Sequence, residues 1–391
     1  MLNKDETRIL TSGYTSVCVW DSSTGQKILP PIEHGKRIWG AMFNNDESRI
    51  LTWSDDGTAR VWDSSTGKKL LPPLKHNERV LGAIFNNNGT IILTWSLDGT
   101  ARVWNGITGQ ELFLPLKHKE VVRGAMFNND ESRILTWSDD NTARIWDSST
   151  GKELLPPMEH KGGVREAMFN KDETRILTLG YTSIRVWESN TGQEFPVSLE
   201  HEDEVKGAVF NKDESRILTW SNDGTARVWD SDTGQELLPS LKHEGEVKGA
   251  VFNKDESRIL TWSNDGTARV WDSNTGQELL PSLKHEREVK GAVFNKDESR
   301  ILTWSNDSTA RIWNISIDTT WPSNKIILKT EVETGTEMTP TGEVQALSAP
   351  EWKKKKWCKY DKLQYELKRI TGAEWETSKR LCKQLNSSEA K

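Results

Sequence analysis

Residues 202–285 are one forty-two-residue unit written twice, EDEVKGAVFNKDESRILTWSNDGTARVWDSDTGQELLPSLKH and then EGEVKGAVFNKDESRILTWSNDGTARVWDSNTGQELLPSLKH, with two differences between the copies. Each copy contains four short runs of β-type residues, VKGAVFN, SRILTWS, TARVWD and QELLPSL, divided by NKDE, NDG and DTG. Alternation and β-branched or aromatic content mark the runs as strands, and Asn, Asp and Gly mark the joints as tight antiparallel turns. A period of this length makes each unit one small sheet. Such a sheet cannot bury both faces alone, so successive copies must stack face to face.

Three features recur in register along the chain: VWD at the end of the third strand, SxDxT before it, and a His opening each unit. With them residues 1–333 resemble the WD-repeat family of β-propellers, and the near-identical ILTWSxDGTARVWD units are similar to bacterial tandem WD-repeat arrays attached as sensor regions to signalling NTPases. The resemblance implies an all-β, eight-bladed propeller, with the first strand of a unit innermost and the fourth at the rim. It also implies a buried hydrogen-bonded set of His, Ser or Thr, Asp and Trp in each blade: His201, Ser221, Asp223 and Trp229, then His243, Ser263, Asp265 and Trp271. The matching residues elsewhere are His34, Asp56 and Trp62; His76, Asp98 and Trp104; His118, Asp140 and Trp146; and His285, Asp307 and Trp313.

The third-strand Trp occurs eight times, at Trp20, Trp62, Trp104, Trp146, Trp187, Trp229, Trp271 and Trp313, which gives eight blades; a seven-bladed ring or an open array are the alternatives. Blades one and five carry TSGYTS and TLGYTS where the others carry TWSDDG or TWSND, losing the Trp, Ser and Asp together. Blade one is also short of an innermost strand, because Leu2 aligns with Phe43. The propeller domain is expected over 1–349, closed by strands near 325–333 and 342–348, the latter completing blade one and removing open sheet edges. Residues 350–391 are expected to be a basic helical tail, opened by the S-x-x-E box of Ser348 and Glu351 and carrying an apolar stripe of Tyr360, Leu363, Leu367 and Ile370. A second Trp in six second strands, such as Trp53 beside Leu51, falls by period two on a face turned to a neighbouring blade and is expected to be core.

Charge divides the chain. Residues 350–391 hold twelve Lys and Arg against six Asp and Glu, so a chain of net charge −6 leaves −12 on the remainder. An acidic propeller argues against nucleic acid as its ligand. No apolar run approaches the roughly 20 residues of a membrane helix, and MLNKDETRIL has no apolar signal core. Three scattered cysteines make neither a disulfide framework nor a metal knuckle. A monomeric cytoplasmic protein is expected.

No catalytic or cofactor site is expected. All seven histidines fall at one position of successive units, a blade apart, too far for a shared coordination shell. GxxxxGK[ST], HExxH and GxSxG are absent. What varies among the copies is the entry to the first strand. One column reads Trp39, Leu81, Arg123, Arg165, Lys206, Lys248 and Lys290, and the position two earlier reads Arg37, Arg79, Val121, Gly163, Glu204, Glu246 and Glu288. In WD-repeat propellers this edge is where partners most often dock, which implies a non-catalytic scaffold or sensor gripping a protein or peptide. The alternatives are a structural or nonfunctional fragment of a larger WD-repeat signalling protein and, more distantly, a propeller enzyme.

Overall fold

A computed structural model describes residues 2–315, 336–338 and 344–346. By internal contacts the chain divides into a large unit, Met1–Phe294 with Ile301–Trp313, and a second unit, Asn295–Arg300 with Asn314–Lys391. The large unit carries eight successive antiparallel sheets, named I to VIII here; I and VIII have three strands and the six between them have four. No helix occurs among the described residues. Sheet VI shows the pattern: strand a is Val205–Phe210, b is Arg216–Ser221, c is Thr225–Asp230 and d is Leu241–Lys242. In register, Leu218 faces Val209 on one side and Val228 on the other.

In sheets II to VII strands b and c are buried on both faces, so each of these sheets shares its core with both neighbours. Between VI and VII, for example, Leu218, Ala226, Val228 and Leu241 of one sheet meet Val247, Ala250, Ile259 and Trp271 of the next. Each fully buried Leu, Ile or Val contributes about 1.5–3 kcal/mol of transfer free energy. The same arrangement joins I to II and each following pair up to VI and VII. These contacts are what hold the array together.

A polar stitch crosses the same junctions. Glu47, Glu131, Glu173, Glu214 and Glu256 all take left-handed backbone angles, φ near +60°, at the turn between strands a and b. Each carboxylate reaches back to the preceding repeat: Glu131 Oε2 accepts from Asn86 Nδ2 at 2.9 Å, Glu173 from Asn128 at 2.9 Å and Glu214 from Asn170 at 2.9 Å. The other oxygen takes the next backbone N–H, as Glu214 does from Lys171. A left-handed Glu is unfavourable in isolation, so the bond pattern selects it. Repeat III has Gly89 at this place, with φ +71°.

Four of the second-strand tryptophans, Trp53, Trp95, Trp137 and Trp220, do pack against the junction clusters, but they are half-buried, and Trp304 in sheet VIII is exposed. The ring lies across strand a instead of standing in the core. Val344–Ala346, expected to complete sheet I, pairs with Thr336–Met338 in a two-stranded sheet, while sheet I has three strands. Sheet I does retain the stub of its inner strand, because Leu2 bridges Ile9 as Phe43 pairs Ile50. Residues 325–333 and the expected helical tail at 350–391 lie outside the described residues.

Candidate functional site

The buried network comes first, because it sets the edge from which the variable side chains project. In sheet VI, His201 Nδ1 lies 2.8 Å from Asp223 Oδ2 and its Nε2 lies 2.8 Å from Thr219 Oγ1. Trp229 Nε1 donates to the same Thr219 oxygen at 2.8 Å. The bridging hydroxyl is therefore Thr219, where Ser221 had been expected, and Thr261 replaces Ser263 in sheet VII. Ser221 instead donates to the Asp203 carbonyl and accepts from the Asp223 N–H, each at 3.0 Å, fixing the turn. The two residues are two apart on one strand face, so both are within reach of the turn.

Equivalent contacts join His34 to Asp56 and Thr52, His76 to Asp98 and Thr94, His118 to Asp140 and Thr136, and His285 to Asp307 and Thr303. Trp62, Trp104, Trp146 and Trp313 donate to those same threonines, as Trp271 does to Thr261, and the histidine side chains have no exposed surface. Burial opposes ionisation of Asp223, yet hydrogen bonds from His201 and Thr225 hold its carboxyl well below the usual carboxylate range. Every member is occupied by its neighbours, so the network is a fastening for the turn and offers no acid and base to a substrate.

Sheet V is the exception. His160 keeps Thr178 at 2.6 Å, but its Nδ1 is buried with no hydrogen-bond partner. Gly180 stands against that nitrogen; a Cβ there would lie 2.6 Å from it. Burial, with Arg185 nearby, brings the His160 pKa down to about 4.

The expected partner-binding column forms a charged rim at the entry of the a strands. Trp39 is 43% exposed, yet its ring is fixed: Nε1 donates to Asp55 Oδ1 at 2.5 Å and the Arg37 guanidinium lies 4.2 Å from its ring centre. Asp55 also meets Arg79 of the next sheet at 3.5 Å, which brings sheets II and III together here. Leu81 and Leu97 are half-buried beside them in sequence register. Arg123 grips Asp139 with two bonds, at 2.8 and 2.5 Å.

Further along, Glu204 pairs with both Arg165 of sheet V and Lys206, the latter at 2.6 Å, while Arg165 covers the Tyr181 ring at 5.0 Å. Burial and the neighbouring cations Arg165 and Lys248 lower the Lys206 pKa. Lys248 pairs with Glu246, and Lys290 with Glu288 at 2.7 Å. So the cations of the column are tied to the acids of the position two earlier or of the b–c turn. The stacking role of Tyr181 had no signal in sequence beyond the unusual GYTS turn. Among the described residues, no group of His, Cys, Asp and Glu could hold a metal ion.

The family of the WD domain, G-beta repeat, matches residues 26–63, 68–105, 111–147, 194–230 and 235–272. The chain contains WD repeats. The five matched segments carry the c strands of sheets II, III, IV, VI and VII, and the c strands of sheets I, V and VIII fall outside them. A solved structure similar to the WD-repeat array is that of the computationally designed Ika8 protein, with 26% identity and a TM-score of 0.61 over 80% of this chain and 95% of that one. No curated protein matches the chain. WD repeats generally serve as protein-interaction scaffolds and are typically non-enzymatic.

Proposed function

We propose that the chain is a non-catalytic scaffold or sensor that binds a protein or peptide on the rim where the a strands enter the sheets. The observation that carries this is Trp39, a large aromatic side chain left 43% exposed while Asp55 and Arg37 fix its orientation. A pre-oriented, solvent-facing aromatic with an arginine on its face is the kind of anchor that supplies most of the free energy at protein interfaces. Leu81 extends the apolar part, and the pairs Arg123–Asp139, Lys248–Glu246 and Lys290–Glu288 supply alternating charge that would orient a partner rather than hold it. The repeats are near-identical elsewhere and differ along this rim. This reading takes with it the cytoplasmic address and the bacterial signalling setting suggested by the tandem units.

Random-peptide display on the immobilised chain tests the reading. Selection should enrich sequences that bind the native chain and lose binding to the double variant Trp39→Ala, Leu81→Ala. A pool indifferent to both substitutions, or no pool, overturns it.

A further inference from the structure

In six sheets an Asp carboxylate is held by the same kinds of donor. The histidine Nδ1 lies between 2.8 and 3.1 Å from it in every case. The N–H of the next residue donates to the same oxygen, as Glu202 does to Asp223 at 3.1 Å and Glu244 to Asp265 at 3.0 Å. In sheets II, IV, VI and VIII an arginine of strand c joins them, with Arg60 2.8 Å from Asp56 and Arg227 3.8 Å from Asp223.

Sheet V keeps these donors and has no Asp for them, because GYTS replaces the turn that carries it. His160 is buried, its Nε2 lies 2.6 Å from the Thr178 hydroxyl, and its Nδ1 has no partner. Trp187 donates to that hydroxyl oxygen at 2.7 Å, so the hydroxyl proton serves Nε2 and Nδ1 carries the hydrogen of the ring. Arg185 faces Thr178 across the strands as Arg227 faces Thr219. Glu194 holds its Nη1 at 2.9 Å, while its Nε is buried without an acceptor. Buried polar atoms are rarely left unpaired, and here two belong to the groups that elsewhere surround an Asp. Gly180 leaves the flank of Nδ1 free of any side chain. An open cavity of about 290 Å³ has His160 in its wall, with Lys119, Asp140, Arg144 and Glu159.

We propose that sheet V binds a carboxylate from outside the chain at His160 Nδ1 and Arg185 Nε. The ligand takes the part that Asp223 plays in sheet VI, and it is either a free small carboxylate or an acidic side chain of a peptide. Charge-assisted bonds from a fixed imidazole and guanidinium suit this group. None of the rim residues takes part, so the site stands apart from the reading built on Trp39.

Nitrogen NMR of the histidine-labelled chain is the test, with sodium acetate titrated against sodium chloride at equal ionic strength and the His160 signals assigned through His160→Gln. Acetate should shift the His160 Nδ1 signal saturably and leave the other six histidines, whose Nδ1 atoms already have Asp partners, unmoved. Gly180→Ala, which sets a methyl group 2.6 Å from Nδ1, should abolish the response. Should that variant lose the native signals of the other six histidines, Arg185→Gln takes its place and should weaken the acetate response severalfold. N-acetyl-aspartyl amide, with the asparaginyl compound as control, separates the two sources: tighter binding than acetate assigns the site to a peptide, weaker binding to a free acid. A His160 signal that stays still, that moves equally with chloride, or that responds unchanged in the variant overturns the proposal.

Discussion

Gly207 and Trp220 are one packing unit: they pair across strands a and b of sheet VI, and a Cβ added at Gly207 would lie 2.1 Å from Trp220 Cζ2. The Trp ring rests on the space where the glycine has no side chain. The relation repeats at Gly40 with Trp53, Gly82 with Trp95, Gly124 with Trp137, Gly249 with Trp262 and Gly291 with Trp304. In sheet V both members change together, to Glu166 facing Leu179.

It follows that Gly207→Ala should destabilise the chain by about 1–3 kcal/mol through overpacking, read as a lowered midpoint in urea. Trp220→Leu in the same chain should recover much of that loss, as the pair in sheet V already suggests. Additive losses in the double-mutant cycle would show that the two positions are independent.

The stitching glutamate makes a second prediction of unusual sign. Glu214→Ala keeps the left-handed backbone, φ +63° in the native chain, but loses the bonds to Asn170 and Lys171. Glu214→Gly loses the same bonds and relieves the backbone by roughly 1 kcal/mol. Alanine should therefore be the more damaging substitution in chemical denaturation, against the ordinary rule that glycine is worse.

Acid should weaken the fold before its carboxylates titrate. His160 is held neutral, its pKa brought down to about 4 by burial and Arg185, while in the unfolded chain it protonates near its ordinary value of about 6.5. Its contribution is therefore complete above about pH 6.5 and is lost as pH falls toward about 4, on the order of 3 kcal/mol in all. His34 and His118, lowered chiefly by burial and partly restored by Asp56 and Asp140, act in the same direction. Urea midpoints taken from pH 7 to pH 5 should fall, and His160→Gln should flatten that slope.

Removing the bridging hydroxyl tests the buried network. Thr219→Val preserves shape but leaves the Trp229 N–H and the His201 Nε2 without their partner. A loss of about 1–3 kcal/mol is expected, measured by thermal unfolding. A neutral result would mean that the rings pack equally well without it.

The repeat period, the strands and the His, Asp and Trp positions were legible in sequence because they recur in register. The bridging hydroxyl was not: Thr219 and Ser221 project from the same side of strand b, and only the depth of the two rings separates their roles. Nor was the stitch, since a glutamate in a polar turn gives no sign that its backbone is left-handed. On the rim, the variable column showed where to look. Its pairing did not show, because Arg165 reaches Glu204 some forty positions away in the chain, across a sheet boundary. Leu81 is less available than its place in the column suggested, and Trp39 more so.

Among the described residues each glutamate holds only its immediate predecessor and each apolar cluster is shared by only two neighbours, so none of these contacts counts how many repeats there are. Unequal exchange between the two nearly identical copies at 202–285 would lengthen or shorten the protein by whole modules while every surviving seam stayed matched. Repeat number is thus free to change faster than the chemistry of any one repeat.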